Sequence, residues 1–261
     1  MARTDTLANF VTDIANAIRN KSGKTELISP SNFDIEIENL SSSNEGDGAL
    51  SVYSPRYISF YMYTGEYLTE ELSVLDTSKI TSFKSMFHDC SSLKELDLSK
   101  FNTSNVTTMY NMFYGCSSLK SLDVSNFNTS KCETFSYMFR NVRNITSLDI
   151  SNFDTTNAKY LGSMFYQCQG LTELDLSNFY TPKVTDVSYM FMQCTKLAKI
   201  DIRNMTFDSM GSTYTSMFGS SASNGVPNDC LIIVKSNVEK EWITSKFSRL
   251  TNVKTVEELQ G

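Results

Sequence analysis

The chain has 261 residues, 40% of them hydrophobic, and a formal net charge of −6 at pH 7. This hydrophobic share is enough for a buried core, and no stretch approaches the ~20 apolar residues that a membrane-spanning helix needs. The acidic balance and the scattered lysines and arginines argue against a nucleic-acid or anionic-membrane partner. The first residues lack the basic start and apolar run of a secretory signal, so we expect no export by that route.

Residues 1–40 have the pattern of a helical hairpin. Gly23 follows the first predicted helix, and the second begins with Ser29 as N-cap and Pro30 at its first position. Two short helices bury too little to fold alone, so we expect this attachment domain to dock on a partner or to oligomerise. Its apolar residues are Leu7, Phe10, Val11, Ile14, Ile18, Phe33, Ile37 and Leu40.

A linker and a small β cap are predicted to follow the hairpin. Residues 41–50 are polar and contain glycine, which is the composition of a flexible linker. Residues 51–71 include an alternating segment from Tyr57 to Tyr63 that ends at a Thr-Gly turn. We expect this segment to cover the apolar end of the repeats that come next.

Residues 72–218 are an internal repeat. A Met-Phe pair recurs every 26 residues from Met86 to Met190 and once more at Met217, a step of 27. A second landmark, of the type Leu93-x-x-Leu96-Asp97, keeps the same period. A fixed period in this range indicates a solenoid or a similar array.

Each unit is predicted to supply a strand, a bend and a short outer helix. Leu93, Leu96 and Leu98 alternate with polar residues, so the leucines should point inward from a short parallel strand. Threonine and serine at the bend, such as Thr103, can satisfy backbone groups there. One position after the strand is expected to form an interior aromatic ladder, with Met205 in place of the ring in the last unit: Phe101, Phe127, Phe153 and Phe179.

The six cysteines are expected to be buried free thiols and not disulfides. Four of them occupy one repeat position, where Val142 stands in another unit, which marks an apolar position. No pair has the spacing of a metal site. Residues 219–261 are predicted to form a C-terminal β-α-β cap, with strands at residues 230–234 and 252–256 around a helix at residues 238–250.

The repeat resembles the BspA-like, mycoplasma-type branch of leucine-rich-repeat surface proteins. The resemblance rests on the core Met-Phe-x-x-Cys-x-x-Leu-x-x-Leu-Asp-Leu-Ser-x-Phe-x-Thr-Ser-x-Val-Thr between about Leu72 and Phe218. It implies a leucine-rich fold and a role in adhesion or recognition. Because Phe101 and its equivalents stand where that pattern usually has Asn or Cys, the usual asparagine ladder is not expected.

The N-terminal segment resembles the start of phage tail and baseplate proteins from Firmicutes phages and prophages. The matching residues run from Ile14 to Thr25 and from Ile28 to Phe33. This resemblance implies that the hairpin attaches the protein to tail or baseplate partners.

Two sets of exposed residues are candidates for ligand binding. The first is a carboxylate ladder that could hold a cation or polar ligand, or could instead accept hydrogen bonds in the adjacent bends: Asp97, Asp123, Asp149, Asp175 and Asp201. The second could give specificity, or could simply cover the outer surface: Tyr110, Tyr114, Tyr137, Tyr166 and Tyr189. The only histidine, His88, lies at a position that varies between units, so we expect no catalytic role for it.

The sequence and its resemblances therefore predict an α/β fold, a leucine-rich-repeat-like right-handed solenoid with a parallel β-sheet, preceded by a small helical hairpin. We interpret the chain as a non-enzymatic recognition protein without cofactor or metal, a phage or prophage tail-tip component of a virion. Its expected partners are a host cell-surface protein or glycan, tail or baseplate proteins, and further copies of itself. The alternatives are a bacterial cell-surface leucine-rich-repeat adhesin and a structural scaffold.

Overall fold

A computed structural model describes residues 67–68, 72, 77–207 and 213–261. The predicted hairpin of residues 1–40, the linker at 41–50 and most of the predicted N-terminal cap lie outside the described residues. The described part is mainly β structure and turns, with a parallel sheet and one α-helix. This composition is compatible with the predicted α/β repeat fold.

Short parallel strands join neighbouring units. Strands β1 (Tyr67–Leu68) and β2 (Glu95–Leu96) form one pair. A four-stranded parallel sheet has the order β3-β4-β5-β6, formed by Glu173–Asp175, Lys199–Asp201, Leu231–Val234 and Val253–Thr255. A second line of parallel bridges connects residues one period apart, from Ser82 through Thr108, Thr134 and Tyr160 to Asp186.

The predicted strand is absent from two middle units of the described chain, at residues 119–124 and 145–150. Side chains satisfy backbone groups at the ends of these segments. Asn126 Nδ2 donates to the carbonyls of Leu98 and Phe101, both at 2.9 Å, and Asn152 Nδ2 does the same for Val124 and Phe127. Asn178 repeats the pattern in the next unit. These asparagines lie just before Phe127, Phe153 and Phe179, so their ladder differs from the usual one, whose position holds the phenylalanine.

The predicted short outer helix of each unit is also wrong. The Met-Phe segment is a series of hydrogen-bonded turns, in which Met86 N–H donates to Phe83 and His88 N–H to Ser85. The intervening amides pair with the next unit, as Phe87 N–H does with the Met112 carbonyl at 2.8 Å. In the five units from Met86 to Met190, the residue before the Met and the second residue after the Phe have positive φ, for example 56° at Ser85 and 57° at Asp89. A right-handed helix does not accommodate such residues.

The core is built on a continuous stack of phenylalanines from the Met-Phe pairs. Their ring centroids lie 5.5–5.8 Å apart, each ring is at most 1% exposed, and the members are Phe87, Phe113, Phe139, Phe165, Phe191 and Phe218. The predicted ladder at Phe101 and its equivalents is buried as well, and Phe127 stacks on Phe153 at 6.5 Å. Phe247 packs edge-on against Phe218 at 5.1 Å and covers the end of the long stack.

Buried threonines at the bends link each unit to the next. Thr103 Oγ1 donates to the Asn128 carbonyl at 2.9 Å and accepts from the Asn128 N–H at 2.7 Å. Thr129 makes the same pair of bonds with Asp154, at 3.0 and 2.8 Å. Both threonines are 1% exposed. The predicted role of the bend hydroxyls is thus confirmed.

All six cysteines are free and buried, as predicted. Cys116, Cys168 and Cys194 each donate a thiol hydrogen bond to a carbonyl 3.0 Å away, at Phe87, Phe139 and Phe165 respectively. Burial raises the pKa of Cys132, Cys194 and Cys230 to about 12. These thiols therefore serve as small core side chains.

The C-terminal segment continues the sheet of the repeats. β5 pairs with β4 in register, Ile200 beside Ile232, and β6 pairs with β5. Between them lies the helix α1 (Asn237–Lys246), with Ser236 and Glu239 forming a capping box at its start. The order strand, helix, strand is the one that the sequence predicts. Trp242 of α1 stacks on Phe207 at 4.5 Å and so fixes the helix against the last unit.

We expect Thr129→Val to destabilise the protein by about 1–2 kcal/mol, because the backbone N–H and carbonyl of Asp154 would face an apolar methyl group. The measurement is chemical denaturation followed by circular dichroism. Thr146→Val is the matched control, because Thr146 is exposed in the adjacent strand-side segment. Equal free energies of unfolding for the two variants would contradict the structural role of the threonine bonds.

Candidate recognition surface

Four of the five predicted tyrosines come together on the Met-Phe turns. With two neighbouring side chains they form what we call the aromatic–arginine surface: His88, Tyr110, Tyr114, Tyr137, Arg140 and Tyr166. Each of these residues is partly exposed. Tyr189, which is 40% exposed, makes no ring contact with this surface in the described part of the chain.

One column of this surface is the residue that directly follows each Met-Phe pair. His88, Tyr114, Arg140 and Tyr166 are successive members, one period apart. The His88 ring is stacked on Tyr114, with centroids 4.5 Å apart and an interplanar angle of 3°. The pairing of amides between units holds this column in register, because Phe87 N–H donates to Met112 and Phe139 N–H to Met164.

Arg140 is the centre of the surface. Its Cζ lies 4.3 Å from the Tyr166 ring centroid, 5.5 Å from that of Tyr114 and 5.3 Å from that of Tyr137. These are cation–π distances. Tyr137 in turn meets Tyr110 edge-on at 5.4 Å.

The turn geometry explains how the second column reaches Arg140. Tyr137 has φ of 61°, one of the positive-φ positions that recur before each Met. Non-glycine residues adopt this conformation only at a cost, which the surrounding bonds of the turn must offset. Tyr137 N–H donates to Gly162, and the Tyr137 carbonyl accepts from Arg140 N–H at 3.1 Å.

Arg140 and His88 belong to this surface although the sequence pattern alone indicates only that their position varies between units. The signal that could have identified them is that four successive units carry a ring or a guanidinium there. Side chains at equivalent positions of stacked repeats lie directly beside one another.

Burial changes the acid–base behaviour of two residues in the surface. The pKa of His88 is lowered, mainly by burial, while the nearby Asp89 carboxylate acts in the opposite direction. The His88 Nδ1 atom lies 3.2 Å from Asp89 Oδ2. Burial also raises the pKa of Tyr110, so its hydroxyl keeps its proton at neutral pH.

The aspartate ladder has a clear structural partner in every unit. In four units the Oδ1 atom accepts the N–H of the serine two residues on, at 2.8–3.0 Å: Asp97, Asp123, Asp149 and Asp175. Asp201 instead binds the Arg203 guanidinium and its N–H. These hydrogen bonds are the ones expected if the aspartates have a structural role in the adjacent bends.

These hydrogen bonds account for the electrostatics of the ladder. The backbone and side chain of Ser99 lower the pKa of Asp97, and serines do the same for Asp123 and Asp149. Partial burial raises the pKa of Asp175, but the hydrogen bonds from Ser177 and the charges of Arg203 and Lys199 together lower it. No cluster of three or more histidine, cysteine, aspartate or glutamate side chains suited to a metal ion occurs in the described part of the chain. Cation binding by the ladder stays a prediction.

We expect His88→Phe to lose less stability than the wild type when the pH falls from 7.5 to 5.5. Because folding lowers the pKa of His88 from 6.5, the unfolded chain takes up its proton first, and protonation then favours unfolding. Phenylalanine keeps a ring against Tyr114 but does not titrate. Urea denaturation at several pH values measures the free energy of unfolding of both proteins. Groups that titrate alike in both proteins cancel in the difference between the two free energies. Parallel stability curves would contradict the prediction.

We expect Asp149→Ala to lower the thermal midpoint and Asp149→Asn to preserve most of it, because the asparagine oxygen can still accept the Ser151 N–H. Differential scanning calorimetry of both variants measures this. The same experiment with added Ca²⁺ tests the alternative role. A calcium-dependent rise in the midpoint of the wild type that both variants lose would show that the ladder binds a cation.

No helix among the described residues combines the length and the apolar character that crossing a membrane requires.

Comparison with known proteins gives a family for the chain. Residues 58–148 and 121–228 match the family described as Mycoplasma protein of unknown function, DUF285. Searches of curated proteins and of solved structures returned no match. The two matched ranges overlap and together span residues 58–228, which is more than half of the chain and includes all the Met-Phe pairs. The chain therefore belongs to the DUF285 family of mycoplasma-type repeat proteins.

Proposed function

We propose that the protein is a non-enzymatic recognition protein of the bacterial cell surface, and that its aromatic–arginine surface contacts the ligand. The observation that carries the proposal is the convergence of three tyrosines on Arg140, with a fourth, Tyr110, packed against Tyr137. Tyrosine offers a large contact area at low conformational cost together with a hydroxyl group. Arginine and tyrosine are also the residues that dominate binding energy at protein interfaces.

In this proposal the repeats form a right-handed solenoid of leucine-rich type. The parallel bridges from Ser82 to Asp186 and the in-register pairing of β3 with β4 both advance by one period. Such an array offers an extended surface whose frame is constant while the exposed positions vary. Residues 219–261 then serve as its C-terminal cap, and residues 51–71 as its N-terminal cap.

A role without catalysis fits the chemistry of the described residues. All six cysteine thiols are buried, and burial raises the pKa of Cys116 and Cys168, so these two are poor nucleophiles. His88, the only histidine, is stacked on Tyr114 and paired with Asp89, which is not the nucleophile–base arrangement of a catalytic site. Binding is the function that this arrangement favours.

The family match favours a cell-surface adhesin over the phage interpretation. The matched residues cover the repeats, and the family description refers to a Mycoplasma protein. This fits a surface-associated repeat protein. A phage tail-tip role and a virion location have no support from the comparisons. The attachment role of residues 1–40, including oligomerisation, remains a prediction outside the described residues. The neighbouring genes, for cell-wall or for tail proteins, would distinguish the two origins.

We expect the combined substitution Tyr114→Ala and Tyr166→Ala to reduce binding of the full chain to its ligand at least tenfold, because it removes two of the rings around Arg140. Binding is measured on arrays of host glycans and cell-surface proteins, and then by surface plasmon resonance for the ligands found. Tyr180→Ala is the matched control, because this side chain is 53% exposed outside the surface.

Two outcomes would contradict the proposal. Unchanged binding by the Tyr114 and Tyr166 variant would place the ligand elsewhere, and loss of binding by Tyr180→Ala alone would do the same. Absence of binding by the wild-type chain to both arrays would count against recognition itself and would favour the scaffold alternative.

A further inference from the structure

We propose that the Arg140 guanidinium is the receptor for the carboxylate group of an acidic glycan. This inference rests on the proposed function and names the class of ligand for the same surface. It starts from the side chain of Arg140, which lacks the hydrogen-bond partners that the other described arginines have.

Arg140 has no acceptor for its side-chain donors among the described residues. Its Nε atom is buried and makes no hydrogen bond, and no ion pair joins its guanidinium to a carboxylate in that part of the chain. By contrast, Arg143 donates to Asn141 Oδ1 at 2.7 Å, Arg203 binds Asp201, and Arg249 donates to the Val226 carbonyl at 2.8 Å. The two terminal nitrogens of Arg140 also make no hydrogen bond among the described residues, and unlike Nε they are not buried, so they can donate to a ligand.

The tyrosine rings hold the guanidinium in a position from which its N–H groups can bind a planar anion. Tyr114 and Tyr166, which belong to the units before and after Arg140, both lie within cation–π distance of it. These contacts hold the guanidinium in place without using any of its N–H groups. A guanidinium donates two parallel hydrogen bonds to a carboxylate, and a preoriented one loses less entropy when it does so.

The charge of the protein argues for a ligand with isolated carboxylates. The chain carries a net charge of −6. A densely anionic polymer would be repelled by that field, whereas a single carboxylate can be bound by one local cation.

The backbone of the surface argues for a sugar and against an extended peptide. Along the Met-Phe turn of this unit, the amides of Tyr137 and Phe139 donate to the next unit, and those of Met138 and Arg140 donate within the turn. An extended peptide binds by adding main-chain hydrogen bonds at an open edge, and these N–H groups are already engaged. Recognition must therefore use side chains, and the tyrosine rings and hydroxyls match the apolar faces and hydroxyl groups of a sugar ring.

The test uses the full chain and an array of sialylated and uronate-containing glycans, each printed beside its neutral counterpart and its carboxylate methyl ester. We expect binding to the acid forms to exceed binding to the neutral and ester forms at least tenfold, since one charge-assisted bidentate contact is lost. The ester comparison alters the ligand alone and so does not depend on the folding of any variant.

Variants then assign the effect to Arg140. We expect Arg140→Gln to abolish the preference for the acid form, and Arg140→Lys to retain only part of it, because an ammonium lacks the planar fork. Arg143→Gln is the matched control, because it removes the same charge three residues away in a side chain paired with Asn141. Its preference should remain that of the wild type.

Three outcomes would contradict this inference. Equal binding to acid, neutral and ester forms would overturn this inference and leave the proposed function in place, provided that the Tyr114 and Tyr166 variant loses binding. Acid-dependent binding that survives in Arg140→Gln would also overturn it. Binding to an acidic peptide with none to the acidic glycans would show that the ligand class is wrong.

Discussion

The pairing of main-chain amides between neighbouring units is the interaction on which the rest of the structure depends. In the Met-Phe segment, alternate N–H groups donate to the next unit, as Ser85 does to Tyr110 and Phe87 to Met112. The amides between them close turns within the unit. Buried backbone groups must all find partners, so this alternation fixes both the distance and the register of adjacent units. Residues such as Ser85 have positive φ within these turns.

Register converts a repeated sequence into columns of identical side chains. A phenylalanine always lies against a phenylalanine in the long stack, and Phe247 ends the series with an edge-on contact. Threonine hydroxyls form a second column, in which each Oγ1 serves one peptide group of the next unit. Exposed positions obey the same rule. This is why Arg140 meets Tyr114 and Tyr166, residues one period before and after it.

Periodicity in the sequence predicts the columns but not the conformation of the backbone between them. The apolar positions from Val106 to Phe113 fit one helical turn and a chain of turns equally well, so their spacing does not exclude the helix that the structure contradicts. The decisive property is φ, and residues as different as Asp89, Asn141 and Gln167 take positive values at one repeat position. The usual pattern does not predict the asparagine ladder seen here, because it places asparagine one residue later, at the phenylalanine position. The C-terminal strands and helix were predictable because buried strands and a capped helix have local signals, such as Ser236 before Glu239.

The candidate surface was partly predictable for the same reason. Tyr114 and Tyr166 are evident as recurring aromatic residues, whereas the importance of Arg140 depends on which partners it lacks, and a sequence does not show this. The uniform junctions between units have a consequence at the level of the gene. Since each unit presents to its neighbour the same amides, rings and hydroxyls that it receives, duplication or deletion of the segment encoding one unit would leave every remaining junction complete. An array built in this way can therefore change in length, and in the set of side chains displayed on it, without any compensating change in the core.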